Sequence, residues 1–154
     1  MENNFPKLFI PGPTHVSKEI LEEFCTNQIG HRTPEISELI GFITHGIKEI
    51  LYTKNTIFLI SHAATGLWEM GTKNSSEKGV LHCVNGAFSS KWALSSDKCG
   101  LNVGIIDYEW GRGVKVEDVD KYLSTNNYDV FAMVHNETST GVMSNLEEIS
   151  ELLK

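Results

Sequence analysis

The stretch Asp129-Val130-Phe131-Ala132-Met133-Val134-His135-Asn136-Glu137-Thr138-Ser139-Thr140-Gly141 decides the fold class. After Asp129 come five apolar, partly β-branched residues, the pattern of a short strand, and the next seven are polar, small and flexible. Ser144-Asn145-Leu146-Glu147 follows with the Ser-x-x-Glu spacing of a capping box, which predicts a helix opening at Ser144. Strand, polar loop and helix in that order put the loop at a strand's carboxyl end, where open α/β sheets bind ligands. A ligand-reading loop and a merely well-capped turn both satisfy this local pattern.

Upstream, short apolar runs alternate with helical stretches. Thr56 to Ile60, Val80 to Val84 and Val103 to Asp107 read as strands preceding the one at 129 to 134. Each is followed by a loop and a helix candidate, which favours a mostly parallel sheet covered by helices. Thr33-Pro34-Glu35 supplies an N-cap, a proline at the first helical position and an acid in the first turn. Ile36, Leu39, Ile40, Ile43, Ile47, Ile50 and Leu51 then recur at the spacing of an amphipathic helix. Leu8-Phe9-Ile10-Pro11-Gly12-Pro13-Thr14 cannot be helical across its two prolines and reads as an extended arm or turn.

The 154 residues, 40% hydrophobic and 21% charged, have the size and composition of one domain with a real core. A net charge of −7 and a pI near 5.3, with no basic stripe, argue against nucleic acid as a partner. Met1-Glu2-Asn3-Asn4 lacks the features of a signal peptide and no apolar run spans a bilayer, so a cytoplasmic protein without a membrane partner is expected. Cys25, Cys83 and Cys99 form an odd set without Cys-x-x-Cys and read as reduced thiols. Six histidines lack any metal-ligand spacing, so no metal site is expected. The helical run Glu147 to Lys154 carries no stop signal, and a parallel sheet would lead it into another strand; the chain therefore reads as an interrupted domain.

Chemistry concentrates after the strands. Ser61-His62-Ala63-Ala64-Thr65-Gly66 brings small residues to a helix start, where backbone N–H groups, the helix dipole and a Thr hydroxyl favour an anion such as phosphate; a tight strand-to-helix turn is the plain alternative. Neither Gly-x-x-x-x-Gly-Lys-Ser/Thr nor Gly-x-Gly-x-x-Gly occurs, which disfavours nucleoside triphosphates and dinucleotides. Asn85-Gly86-Ala87-Phe88 places an aromatic just past a turn at the same edge, able to stack on a planar ring or to pack in the core. In Gly30-His31-Arg32, Arg32 can clamp a carboxylate or form a surface ion pair. No nucleophile elbow is present.

In order along the chain, Pro11-Gly12-Pro13-Thr14, Gly30-His31-Arg32, Ser61 through Glu69, Val84 through Trp92, Glu109-Trp110-Gly111 and His135 through Gly141, with Leu146-Glu147-Glu148-Ile149 behind it, resemble the class V, fold-type I pyridoxal-phosphate aminotransferases of the alanine-glyoxylate and serine-glyoxylate (serine-pyruvate) group. The resemblance implies an α/β, three-layer transferase large domain with a mostly parallel sheet, incomplete, with residues 1–154 as the amino-terminal arm and first part of it. It implies pyridoxal 5'-phosphate as cofactor, with Ala63, Ala64 and Thr65 on its phosphate, Phe88 on the pyridine ring and Thr138 on the phenolic oxygen. Family members often carry Ser-Gly where this chain has Ala63-Ala64, so backbone donors replace one side-chain phosphate contact. Gly12, His31 and Arg32 resemble segments near the substrate pocket, in part shared across a dimer interface. Small amino acids and 2-oxo acids are the implied substrates, and the full-length form the implied homodimer.

The family's ring-nitrogen Asp, Schiff-base Lys and carboxylate-binding Arg all follow the His135 to Gly141 motif, after which only Lys154 remains among the lysines. No residue of the chain is therefore expected to be catalytic, and the 154 residues alone are expected to be inactive in transamination. A non-catalytic remnant that binds the cofactor or dimerises with a complete paralogue is the alternative. A cysteine desulfurase or selenocysteine lyase would want an Asn-Asn-Glu loop where this chain has His135-Asn136-Glu137.

Overall fold

A computed structural model describes residues 6–125 and 127–154. They fall into two compact units, Met1–Ile60 and Ser61–Lys154.

The first unit holds the arm, which bends through residues 10–13, then helix α1 (Lys18–Glu23) and helix α2 (Pro34–Ile50). Pro34 opens α2 as expected, its missing N–H being one that the first turn leaves unpaired in any helix. The Thr33 hydroxyl does not cap it, turning back instead to the Gly30 carbonyl at 3.2 Å. None of the described residues in this unit is buried. The strand expected at Thr56 to Ile60 is absent: these residues enter neither sheet, and an extended segment without a ladder partner leaves its N–H and C=O groups unpaired.

The second unit is an α/β layer structure. Helix α3 (Ala64–Ser75) leads to β1 (Val80–Val84), α4 (Ala87–Lys98), β2 (Val103–Asp107), α5 (Val116–Thr125) and β3 (Val130–Ala132). The three strands form a parallel sheet in the order β2-β1-β3, with Val80 beside Val103 on one side and Val130 on the other. All five residues of β1 are buried, as a central parallel strand covered on both faces requires. Strand β3 is shorter than the run 129 to 134: the Asp129 side chain accepts hydrogen bonds from the Glu77, Lys78 and Gly79 amides at 2.7, 3.0 and 3.1 Å, fastening the turn before β1.

Alternation along β1 sends Leu81 and Cys83 to one face and His82 to the other. Leu81 and Cys83 pack with Ile106, Val114, Val119 and Ile149, the last two on α5 and on helix α6 (Leu146–Leu152). His82 faces α4, its Nε2 2.9 Å from Ser96 Oγ and its ring edge-on to Trp92 at 5.7 Å. Trp92 in turn stacks on Trp68 of α3 at 5.8 Å. Burial, which disfavours the charged imidazolium, pulls the His82 pKa down to about 4.

Residues 136–143 are not an open loop but a hairpin, β4 (Asn136–Glu137) paired antiparallel with β5 (Val142–Met143). The Glu137 carbonyl accepts from the Gly141 amide at 2.9 Å, and Gly141 sits at φ +70°, a left-handed conformation suited to glycine. The helix expected to open at Ser144 opens one residue later. Asn145 is its cap, accepting from the Glu147 and Glu148 amides, while the Ser144 hydroxyl is used by the Val114 amide at 3.2 Å. Asn and Ser are both good caps, and burial of Ser144 against the 114 loop decides between them. Among the described residues no helix is long and apolar enough to cross a membrane, and no three His, Cys, Asp or Glu side chains come together as a metal site.

Candidate functional site

Strand order locates the site. From β1 the chain crosses by α4 to β2 on one side, and from β2 it returns past β1 by α5 to β3 on the other. Crossovers of one hand running in opposite directions lie on opposite faces, as the packing of α4 and α5 shows. The loops leaving β1 and β3 therefore part company, and the crevice between their carboxyl ends is where an α/β sheet binds ligand. Asn85 to Phe88 leaves β1 there, and the hairpin follows β3.

The first turn of α4 needs partners for its amides, and its N-cap residue is Gly86, which has no side chain to give. The hairpin supplies them. Ala87 N–H donates to Ser139 Oγ at 2.9 Å, Phe88 N–H to Glu137 Oε1 at 3.3 Å, and Ser89 N–H to Glu137 Oε2 at 2.9 Å. The Ser139 hydroxyl and N–H add bonds to Oε1 at 2.7 and 3.2 Å, and the Ser89 hydroxyl lies 2.9 Å from Oε2. Glu137 is 1% exposed. Burial pushes its carboxyl pKa up, but the Ser139 and Ser89 hydrogen bonds outweigh burial and hold it below the ordinary value. A carboxylate is thus kept charged at the positive end of α4. Asn85, fully buried, ties the same corner to the next loop by donating to the Arg112 carbonyl at 2.9 Å.

At the start of α3 the cap position is Ala63, extended at φ −69° and ψ 157°, with no side chain bonded to the first-turn amides. His62 lies beside it, Nδ1 3.0 Å from the Ala63 carbonyl, and its ring occupies the space a side chain on Gly66 would need. Thr65 is exposed and lines a cavity of about 260 Å³ with Glu69, Lys91, Leu94, Ser95 and Lys98, between α3 and α4. Lys91 Nζ reaches over the Phe88 ring, 5.7 Å from its centre, and so joins the two corners.

Of the residues singled out from the sequence, Phe88 lies in the first turn of α4 and Thr138 in the hairpin, next to the Glu137 that accepts from the Phe88 amide. Both are exposed. Ala63, Ala64 and Thr65 open α3 in the same unit. Gly12, His31 and Arg32 belong to the other unit, all exposed, and Arg32 makes no ion pair among the described residues. Glu137, Ser139 and Gly86 were read only as parts of motifs. A glycine at a helix start with no capping side chain after it is the signal that a cap must come from elsewhere.

The family model described as aminotransferase class-V matches residues 24–154. The chain belongs to the class-V aminotransferases. It is 32% identical to a serine–glyoxylate aminotransferase of Methylorubrum extorquens, over 95% of this chain and 38% of that protein. It is also 32% identical to an L-aspartate–glyoxylate aminotransferase of Paracoccus denitrificans, again over 95% and 38%. The solved alanine–glyoxylate aminotransferase of Nostoc sp. superimposes with a TM-score of 0.86 at 29% identity, over 92% of this chain and 38% of that one. The fold is therefore that of the aminotransferases, and the chain spans about two fifths of the length of these relatives. Class-V aminotransferases use pyridoxal phosphate in general, and a phosphate-bearing aromatic ring suits the residue types at this crevice.

Proposed function

We propose that the chain is the cofactor-phosphate and ring-face part of a pyridoxal-phosphate aminotransferase moving an amino group from a small amino acid to a 2-oxo acid such as glyoxylate or pyruvate. The observation that carries it is the pairing of Phe88 with Thr138 through Glu137, at the sheet edge where strand order opens a crevice. The group fits the residues present: α3 starts without a side-chain cap, two alanines leave its amides open to approach, and the half-exposed Phe88 ring offers a face. Bound there, the cofactor's ring would supply the electron sink of transamination.

The residues have separate tasks. Ala63, Ala64 and Thr65 hold the phosphate by backbone N–H groups and the Thr65 hydroxyl, helped by the α3 dipole. Phe88 stacks on the ring, fixing its plane and keeping water from one face. The Thr138 hydroxyl donates to the phenolic oxygen. Gly12, His31 and Arg32 serve substrate binding, and the full-length form works as a homodimer in the cytoplasm.

Equilibrium titration of the chain with pyridoxal 5'-phosphate, followed by quenching of Trp fluorescence, tests this reading. Saturable binding, weakened by Phe88→Ala and much weaker for pyridoxal without its phosphate, is expected. Equal binding of the phosphorylated and unphosphorylated forms would overturn it.

A further inference from the structure

We propose that Glu137 is the positioning residue of this site: its carboxylate locks the first turn of α4 to the β4–β5 hairpin and so sets Phe88 and Thr138 relative to each other. This rests on reading Phe88 and Thr138 as ring contacts.

A carboxylate offers about four lone-pair directions on two oxygens. Those of Glu137 are filled from within the protein: Oε1 by the Phe88 amide and by the amide and hydroxyl of Ser139, Oε2 by the amide and hydroxyl of Ser89. At 1% exposure it has neither a free lone pair nor a path to take a proton from a substrate. Its effect therefore passes through the groups it holds. One of them is the backbone N–H of Phe88 itself, and Glu137 is the residue directly before Thr138.

The joint spans long sequence separation with few atoms. Phe88 and Ser89 lie 49 and 48 residues from Glu137, and Ala87 reaches the same hairpin through Ser139 at 2.9 Å. The space is cut to the side chain, since Gly86 alone leaves room for it: a Cβ there would fall 2.4 Å from Glu137 Cγ and 2.5 Å from Cδ. Glutamine in its place fills the same volume but turns one oxygen into an N–H₂ group, which then faces amide donors instead of accepting from them. A cap of α4 alone calls for any acceptor from any direction. This one comes from the residue next to the proposed ring-oxygen contact and fixes both contacts at once.

The test compares the wild-type chain with Glu137→Gln, and with Ser139→Ala as a milder variant should the first not fold. Three quantities are read: hydrogen exchange at the Phe88, Ser89 and Ser139 amides without cofactor, affinity and induced circular dichroism with pyridoxal 5'-phosphate, and affinity for inorganic phosphate alone. Faster exchange at those amides, cofactor binding weaker by about tenfold, the weight of one lost charge-assisted hydrogen bond, a smaller dichroic band and unchanged phosphate affinity are expected. Phosphate and cofactor affinity falling alike in a folded variant would mark a general effect on the site, and would overturn the proposal. So would unchanged exchange, or faster exchange with an unaltered dichroic band. A wild-type chain that binds neither probe overturns the cofactor reading instead, and the exchange comparison then decides by itself whether Glu137 holds α4 to the hairpin.

Discussion

The Cα of Gly86 stands against the side chain of Glu137, so that a Cβ built on Gly86 would lie 2.4 Å from Glu137 Cγ and 2.6 Å from Ser139 Oγ. The backbone at Gly86 is extended, at φ 176°, and any residue can adopt it. Space, not conformation, requires glycine. Gly86→Ala must push the hairpin off α4 or break hydrogen bonds to the carboxylate, and should cost about 1–3 kcal/mol, the usual penalty of overpacking. Urea unfolding measures it as a lower midpoint at unchanged slope.

Acid should destabilise the protein in two stages. His82 is buried in its neutral form with a pKa of about 4 against an ordinary 6.5, so the unfolded chain takes up its proton first. Stability falls between pH 6.5 and 4, by about 3 kcal/mol in all. Asp129 is held at about 2 against an ordinary 3.8 by the Glu77 amide, with burial opposing and the Gly79 and Lys78 amides and Ser76 hydroxyl assisting. Its contribution, complete above the ordinary value, is lost from there down to about pH 2. Urea midpoints against pH should lose the upper stage in His82→Gln and the lower in Asp129→Asn.

Cys25 and Cys83 should differ sharply towards a thiol reagent. Cys25 is exposed, while Cys83 is buried in the sheet, its pKa raised to about 12 chiefly by burial. The thiolate is the reactive species, so Cys83 should react only when the chain unfolds. Mass spectrometry after brief alkylation, with and without urea, checks this; early labelling of Cys83 would contradict the packing of β1.

Gly104 on β2 meets Tyr128, whose hydroxyl oxygen would be 2.2 Å from an added Cβ. Gly104→Ala should destabilise by about 1–3 kcal/mol. Made on top of Tyr128→Leu, the same change should cost far less, because neighbours that share one space do not add. A double-mutant cycle in urea reads the difference.

Periodicity and turn residues made the α/β alternation legible, because β1, β2 and α2 are set by local pattern. Three parts were not local. Thr56 to Ile60 has the composition of a strand and no partner, and pairing is a property of two segments. Ser144 and Asn145 are equally good caps by type, and the Val114 amide claims the first. Phe88 and Thr138 are named by the family resemblance, but the residue that ties the hairpin to the Phe88 turn is a glutamate whose partners lie on α4, far off in sequence. A charged residue inside a polar loop carries no mark of burial until the helix it caps is known.

The sheet is also an order of events in time. Its middle strand is made first: β1 waits for β2 on one side and for β3 on the other, and all five of its residues must be covered. At roughly 5–20 residues per second of synthesis, several seconds pass between the emergence of Val80 and that of its partner Val130. Through that interval an apolar strand stands with an open edge, a target for wrong partners and for chaperones. The hairpin that carries Glu137 arrives just after β3, so the clasp on α4 closes only once β1 has a neighbour on each side.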